Sequence, residues 1–213
     1  MGGEIDMIID LHIHEKTYSL DSKMGLEEII NEAKNKGLDA ICITDHESNE
    51  IKHKAREISK EMNYPVFVGF EFLTTDGDMV AFGIEDVPQE KMSAQEFIDL
   101  VESKGGVCIS AHPYRKNNRG LEDKLKVVNK LNAIEVFNGS TDDLNNKKAF
   151  DVAKQRGIQG IGASDAHRIE RVGKFATLFP FKVESIEDLI RGIKSNKCKP
   201  AIYKDGKYII VEK

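Results

Sequence analysis

The sequence predicts an α/β fold: a barrel of largely parallel strands ringed by helices. Two observations carry that expectation. Short apolar runs alternate with amphipathic stretches along almost the whole chain. The apolar runs are also continuous, as strands covered on both faces require. About seven or eight such units fall within 213 residues, which favours closure into a barrel over an open sheet and suits one large domain.

The strand-like runs are DMIID (6–10), LDAICIT (38–44), YPVFVGFEF (64–72), DMVAFGI (78–84), GVCISA (106–111), NAIEVFN (132–138), IQGIGAS (158–164) and FATLFPF (175–181). Helix-like stretches lie between them. GLEEIINEAKNKG (25–37) carries apolar residues at helical spacing and ends on Gly37. SAQEFIDLVESKGG (93–106) opens with Ser93 and Glu96 in capping-box spacing and closes on glycines. LEDKLKVVNKL (121–131), DLNNKKAFDVAKQRG (143–157) and SIEDLIRGIKS (185–195) read as helices too. PAIYKDGKYIIVE (200–212) reads as a hairpin turning at Asp205-Gly206. There is no repeat, linker or low-complexity tract, so 1–213 is expected to be a single domain, with the barrel at about 8–180 and a C-terminal helix and hairpin at 185–213.

Composition narrows the functional classes. Hydrophobic residues make up 40% and charged residues 31%, a globular balance. The net charge of −5 argues against a protein that coats nucleic acid, and no extended nucleic-acid surface is expected. No apolar run approaches a membrane span, and the N-terminus lacks the regions of a signal peptide, so no membrane association and a cytoplasmic location are expected. Gly2 does not begin a myristoylation signal, because Asp6 stands where a small residue is needed. Cys42, Cys108 and Cys198 form no C-x-x-C pair and read as buried small hydrophobes.

The polar residues fall in a pattern. The first apolar run leads into Asp10, His12 and His14, and alternation along a strand puts all three on one side. Later runs end in Asp45-His46, Glu71, His112, Glu135 with Asn138, and Asp165 with His167. Five of the six histidines therefore sit at strand ends. His53, inside the charged stretch NEIKHKAREISKE, reads as surface. In a parallel barrel the strand ends open on one face, where such folds build their sites. Burying so many imidazoles and carboxylates is costly unless something pairs them. Divalent metals do so, and this ligand mix suits Zn²⁺, Mn²⁺ or Fe²⁺. The ligands exceed the needs of one ion, which points to two metals or three.

As an ordered set, DLHIH, TDH, Glu71, AHP, EVFN and SDAH resemble the motifs of the PHP family, named for polymerase and histidinol phosphatase. The resemblance implies a distorted (β/α)7 TIM-like barrel with a two- or three-metal site that hydrolyses phosphate esters. It implies His12, His14, His46, Glu71, His112, Asp165 and His167 as ligands. Asp165 and His167 are also the candidates for moving protons in catalysis. Asp10 and Asp45 are expected to support the ligands from behind. Asp21 matches a position that is histidine in some members and is a candidate for a third site. Asp78 stands where relatives carry a histidine and is either a ligand or a turn residue. Ser19 is read as shaping its loop. Arg115 and Arg168 follow ligand motifs and are expected to contact substrate phosphate, whereas Lys116 and Arg171 read as surface charge.

The expected activity is a metal-dependent phosphoesterase, in which a metal-held hydroxide attacks a phosphate monoester of a small metabolite or nucleotide. The alternatives are a 5′–3′ exonuclease acting on short 5′-phosphorylated oligonucleotides, and a non-catalytic metal-stabilised scaffold. Deaminase or lactonase chemistry of the amidohydrolase type shares the H-x-H strand, but TDH and SDAH fit it poorly.

Overall fold

The computed structural model describes residues 6–212, so Gly2 lies outside the described residues. The first apolar run becomes β1 (Met7–Ile13), longer than expected and extending through His12. It is followed by α1 (Leu26–Asn35), β2 (Ala40–Ile43), α2 (Lys52–Glu61), β3 (Val66–Val68), β4 (Phe70–Leu73), β5 (Asp78–Phe82), α3 (Ala94–Ser103) and β6 (Val107–Ser110). After these come β7 (Ala133–Asn138), α4 (Asp143–Arg156), β8 (Gln159–Ala163), β9 (Phe175–Phe179), α5 (Ile186–Lys194), β10 (Lys199–Lys204) and β11 (Lys207–Ile210). The capping box at Ser93 and Glu96 is formed, and Asp142 and Ser185 cap α4 and α5. The C-terminal hairpin turns at Asp205 (φ 52°) and Gly206 (φ 80°), the paired left-handed conformation of a tight hairpin turn.

The expected closed barrel is not formed. The strands make two sheets, one in the order β11-β10-β9-β1-β2-β3 and the other β4-β5-β6-β7-β8. Only β1-β2-β3 and β6-β7-β8 are parallel; β4-β5-β6, β9 against β1, and β9-β10-β11 are antiparallel. The sheets meet at isolated bridges, Ile13 to Ala166 and His46 to Glu71. Gly69 divides YPVFVGFEF between them. Its amide donates to the Ile43 carbonyl of the first sheet (2.9 Å), while Phe70 already pairs with Ala81 of the second. A Cβ at Gly69 would lie 2.4 Å from the Ala81 carbonyl oxygen, so only glycine fits this change of partner.

A second correction concerns residues 121–131, where only a short 3-10 turn forms, Glu122–Lys126. Glu122 (φ 47°) and Lys130 (φ 60°) are both left-handed, so an α-helix cannot run through them.

Three apolar clusters hold the molecule together. Ile9, Leu11 and Cys42 of the first sheet pack with Val80, Ile109 and Ile161 of the second, and α5 adds Leu189 and Ile193. Helices α1 and α2 cover the outside of the first sheet through Ile29, Ile30, Ala55 and Ile58. Helices α3 and α4 cover the second through Phe97, Val101, Ala149 and Val152. The three cysteines are buried free thiols, and His53 is exposed. Among the described residues no helix is long and apolar enough to cross a membrane.

Candidate metal and active site

The spacing of the first motif aims two imidazoles at one point. His12 and His14 are fully buried at the end of β1, and their Nε2 atoms lie 2.9 Å apart. Each ring is held from its other side. His12 Nδ1–H donates to Glu135 Oε1 at 2.7 Å. His14 Nδ1 lies 3.1 Å from Ser19 Oγ, whose hydroxyl donates to Asp45 Oδ1 at 2.8 Å, so His14 Nδ1–H donates to the serine. With both Nδ1 atoms protonated, the facing Nε2 atoms are lone pairs in close opposition. A metal ion bound by both nitrogens relieves that arrangement, and the donor set fits a divalent ion.

Glu71 is the hub. Its Oε1 lies 3.0 Å from His112 Nε2 and 3.5 Å from His12 Nε2; its Oε2 lies 2.8 Å from His46 Nδ1 and 3.7 Å from His14 Nε2. His46 Nδ1 nonetheless has no aligned hydrogen-bond partner, as expected of an atom presented to a third body. Asp165 Oδ1 lies 3.4 Å from His14 Nε2, 3.7 Å from His12 Nε2 and 3.6 Å from His167 Nδ1. Among the described residues, side-chain atoms close enough to share an ion form three groups: His12/His14/Glu71, His14/His46/His167, and Glu71/Asp78/His112. Asp21 Oδ2 adds to the second, 3.2 Å from both His46 Nε2 and His167 Nε2. The chain therefore draws all seven implied ligands together, with Asp21 and Asp78 beside them.

The backbone is bent to do this. His112 (φ 28°) and Asp165 (φ 50°) are left-handed, a strain of about 1–3 kcal/mol each for residues with a Cβ. The conformations are held by hydrogen bonds from their own amides, His112 N–H to Glu135 Oε2 (2.8 Å) and Asp165 N–H to the His12 carbonyl (2.8 Å).

Electrostatics describe a site built around positive charge. Burial alone would lower the pKa of His12, but Glu135, Glu71 and Asp165 outweigh it and hold the imidazole well above its usual range. Burial, aided by the charge on His12, pushes His14 down to about 4 despite Asp165 and Glu71. His46 rises to about 9 because Glu71 and Asp21 overcome its burial. Glu71 and Asp165 are held far below the carboxylate range, their burial outweighed by the surrounding imidazoles.

The supporting residues divide by role. Asp45 orients His14 through Ser19, so Ser19 does more than shape its loop; Asp45 also accepts the Glu15 amide at 2.7 Å. Asp10 acts on backbone, accepting the amides of Ser164 (3.0 Å) and Gly173 (2.9 Å) and so tying β1 to the loop after β8. Burial raises both carboxyls to about 6. Two contributors were not assigned from sequence. Glu135 holds His12 and His112 together, and its strand-end position was the signal. Arg119 pairs bidentately with Asp78, at 2.6 and 2.9 Å.

A cleft of about 580 Å³ opens beside the cluster, its wall including Asp21, Arg115, Asp165, His167 and Arg168. Arg115 Nη1 donates to Asp165 Oδ2 at 3.0 Å, so it touches a carboxylate of the cluster as well as the cleft. Arg171 also lines the wall, where its guanidinium reaches the Gly139 carbonyl. Lys116 is on the surface, near Asp142.

Comparison with known proteins decides the family. The profile of the PHP domain matches residues 10–141, and that of the PHP-associated region matches 143–198. The chain belongs to the PHP family. An uncharacterized protein of Methanocaldococcus jannaschii is 32% identical over 142 residues, covering 62% of this chain and 82% of its own. Solved structures share this fold at lower identity. PsfC from Pseudomonas syringae aligns with a TM-score of 0.70 at 18% identity, covering 94% of this chain and 93% of that one. An amidohydrolase from Chromobacterium violaceum aligns at 0.65 and 16%, covering 92% and 98%. A protein from Bifidobacterium adolescentis, provisionally assigned as a metal-dependent phosphoesterase, aligns at 0.63 and 18%, covering 75% and 87%.

Proposed function

We propose that this PHP protein is a metal-dependent hydrolase of phosphate esters, acting on the terminal monoester of a small metabolite or nucleotide. One observation carries the reading: Asp165 faces the imidazole cluster with Oδ1 and Arg115 in the cleft wall with Oδ2, so the ion-binding cluster and an arginine-bearing cleft share a residue. His12, His14, His46, Glu71, His112, Asp165 and His167, with Asp21, are the residues to hold two or three divalent ions, Mn²⁺, Zn²⁺ or Fe²⁺. Such ions supply Lewis acidity toward a phosphoryl group and a nucleophile at neutral pH.

The chain's own residues do the rest. Arg115 and Arg168 offer guanidinium donors to the outer phosphate oxygens. In the two-ion arrangement that leaves His167 without an ion, its half-buried ring between Asp21 and the cleft is placed to pass a proton to the leaving oxygen. Asp165 steadies that transfer from the Nδ1 side of the same ring. A terminal monoester suits this cleft better than an internal diester, which carries less charge and brings bulk on both sides. The mixed charge of the wall, with Asp142 and Glu170 among the basic residues, gives a polynucleotide little to follow.

The test begins with an aryl phosphate and added Mn²⁺ or Zn²⁺. A mononucleotide, a bisphosphorylated nucleotide and a 5′-phosphorylated oligonucleotide are then compared at equal concentration. Release of inorganic phosphate from the small compounds is expected. Dominant release of mononucleotides from the oligomer would instead identify an exonuclease, and no turnover of any of them a scaffold.

A further inference from the structure

Of the three ligand groups, Glu71/Asp78/His112 differs from the others in having a guanidinium fastened to one of its members. Two arginines touch acidic residues here, and they do so differently. Arg115 reaches Asp165 through one nitrogen on Oδ2, leaving Oδ1 facing His12 and His14. Arg119 takes both oxygens of Asp78: Nε–H donates to Oδ2 at 2.6 Å and Nη2–H to Oδ1 at 2.9 Å. Oδ2 is also the Asp78 oxygen that approaches His112 Nε2, at 3.7 Å. The atom an ion would need is the atom Arg119 holds most closely.

The guanidinium is no loose surface arm. The Asp78 amide donates to the Arg119 carbonyl, and Arg119 N–H donates to Asn117 Oδ1, so the residue is fixed through backbone and side chain together. The next residue, Gly120, packs so closely that a Cβ there would fall 2.3 Å from the Pro113 carbonyl oxygen. An ion on Asp78 would add two positive charges within a few ångströms of a fixed one. It would do so where a bidentate pair already satisfies the carboxylate.

We propose that Arg119 is a built-in cation that takes the place of a metal ion at Asp78, so that the Glu71/Asp78/His112 group holds no ion of its own and Asp78 serves the arginine rather than a metal. The claim concerns ion count and is independent of which ester is cleaved. The remaining two groups, with Asp165 and Asp21, then form the metal centre, and the ligand set narrows by His112, whose Nε2, 3.0 Å from Glu71 Oε1, holds that shared carboxylate instead of an ion.

The experiment strips the full-length protein of metal with a chelator, adds Mn²⁺ or Zn²⁺ in excess, removes free ion by gel filtration and counts bound metal per chain by elemental analysis and native mass spectrometry. The wild type is expected to carry two equivalents, and Asp78→Asn the same number. Arg119→Ala is expected to gain one, Arg119→Lys to gain none, and Arg119→Ala with Asp78→Asn to return to the wild-type count. Three equivalents in the wild type, loss of one in Asp78→Asn, or no gain in Arg119→Ala would each overturn the proposal. If Arg119→Ala fails to fold, the comparison of wild type with Asp78→Asn still decides it.

Discussion

Glu135 holds His12 by its Nδ1 at 2.7 Å and, with its other oxygen, the backbone amide of His112 at 2.8 Å. One carboxylate thus sets the ring direction of His12 on β1 and the backbone position of His112 after β6. Support of this kind fixes the tautomer and typically governs metal affinity by about 10–100-fold. Glu135→Gln should weaken Mn²⁺ or Zn²⁺ binding by that order and lower turnover with it, as read by metal titration of the apoprotein. Unchanged affinity would mean that His12 is oriented by its neighbours alone.

His12→Ala and Asp165→Asn should each reduce phosphate-ester turnover by more than about 100-fold while leaving a folded protein. The three apolar clusters do not need either side chain, so circular dichroism and a cooperative thermal transition should persist. Loss of the transition in either variant would make the cluster structural rather than catalytic.

The metal-free protein should lose stability as pH rises from about 6.5 to about 9. His46 is held up to about 9 from 6.5 by Glu71 and Asp21 against its burial, so its contribution is complete below 6.5 and disappears as pH passes 9. His12 and His112 are raised in the same direction. Asp10 and Asp45, raised by burial from 3.8 to about 6, have lost their contribution by then. The lowered Glu71 and Asp165 contribute throughout this window. Saturating Mn²⁺ should flatten or reverse the trend, because ions compete with protons for the same imidazoles. Thermal unfolding at pH 6.5 and 9, with and without chelator, measures both. A midpoint that climbs with pH in the chelated protein would contradict the assignment.

Gly139→Ala should disturb the cleft. A Cβ there would lie 2.2 Å from the Ser164 carbonyl oxygen, one residue before Asp165. The expected cost is about 1–3 kcal/mol of stability, with a larger proportional fall in kcat than a remote variant of equal stability would show. Equal effects on both would place the strain away from the chemistry.

Much of the centre was legible because strand alternation and strand ends are local properties: His12 and His14 declare themselves two residues apart, as do Asp165 and His167. Glu135 was visible only as another strand-end acid, because its partner His12 is 123 residues away. Arg119 carries no local signal, since the pair with Asp78 spans 41 residues. The barrel expectation failed for a related reason. An apolar strand reads alike whichever way its neighbour runs, so the antiparallel β4-β5-β6 left no mark in the residues. Glu122 shows another limit, because a helical pattern does not reveal a left-handed residue at its start.

The seam between the sheets gives the centre a mechanical role. His12, His14 and His46 ride on the first sheet, while Glu71, His112, Asp165 and His167 ride on the second. Around the centre the described residues of the two sheets are joined edge to edge by isolated bridges and a few amide bonds, while farther off Thr177 of β9 ties to Gly162 of β8 through its hydroxyl. Any ion shared by Glu71 and the β1 imidazoles is therefore a rivet driven through both plates. Withdrawing it should let the edges breathe there first, with amides such as His14, Glu47 and Asp165 exchanging their hydrogens well before the interior of either plate. Metal supply would then set how tightly this protein is closed as well as how well it is equipped.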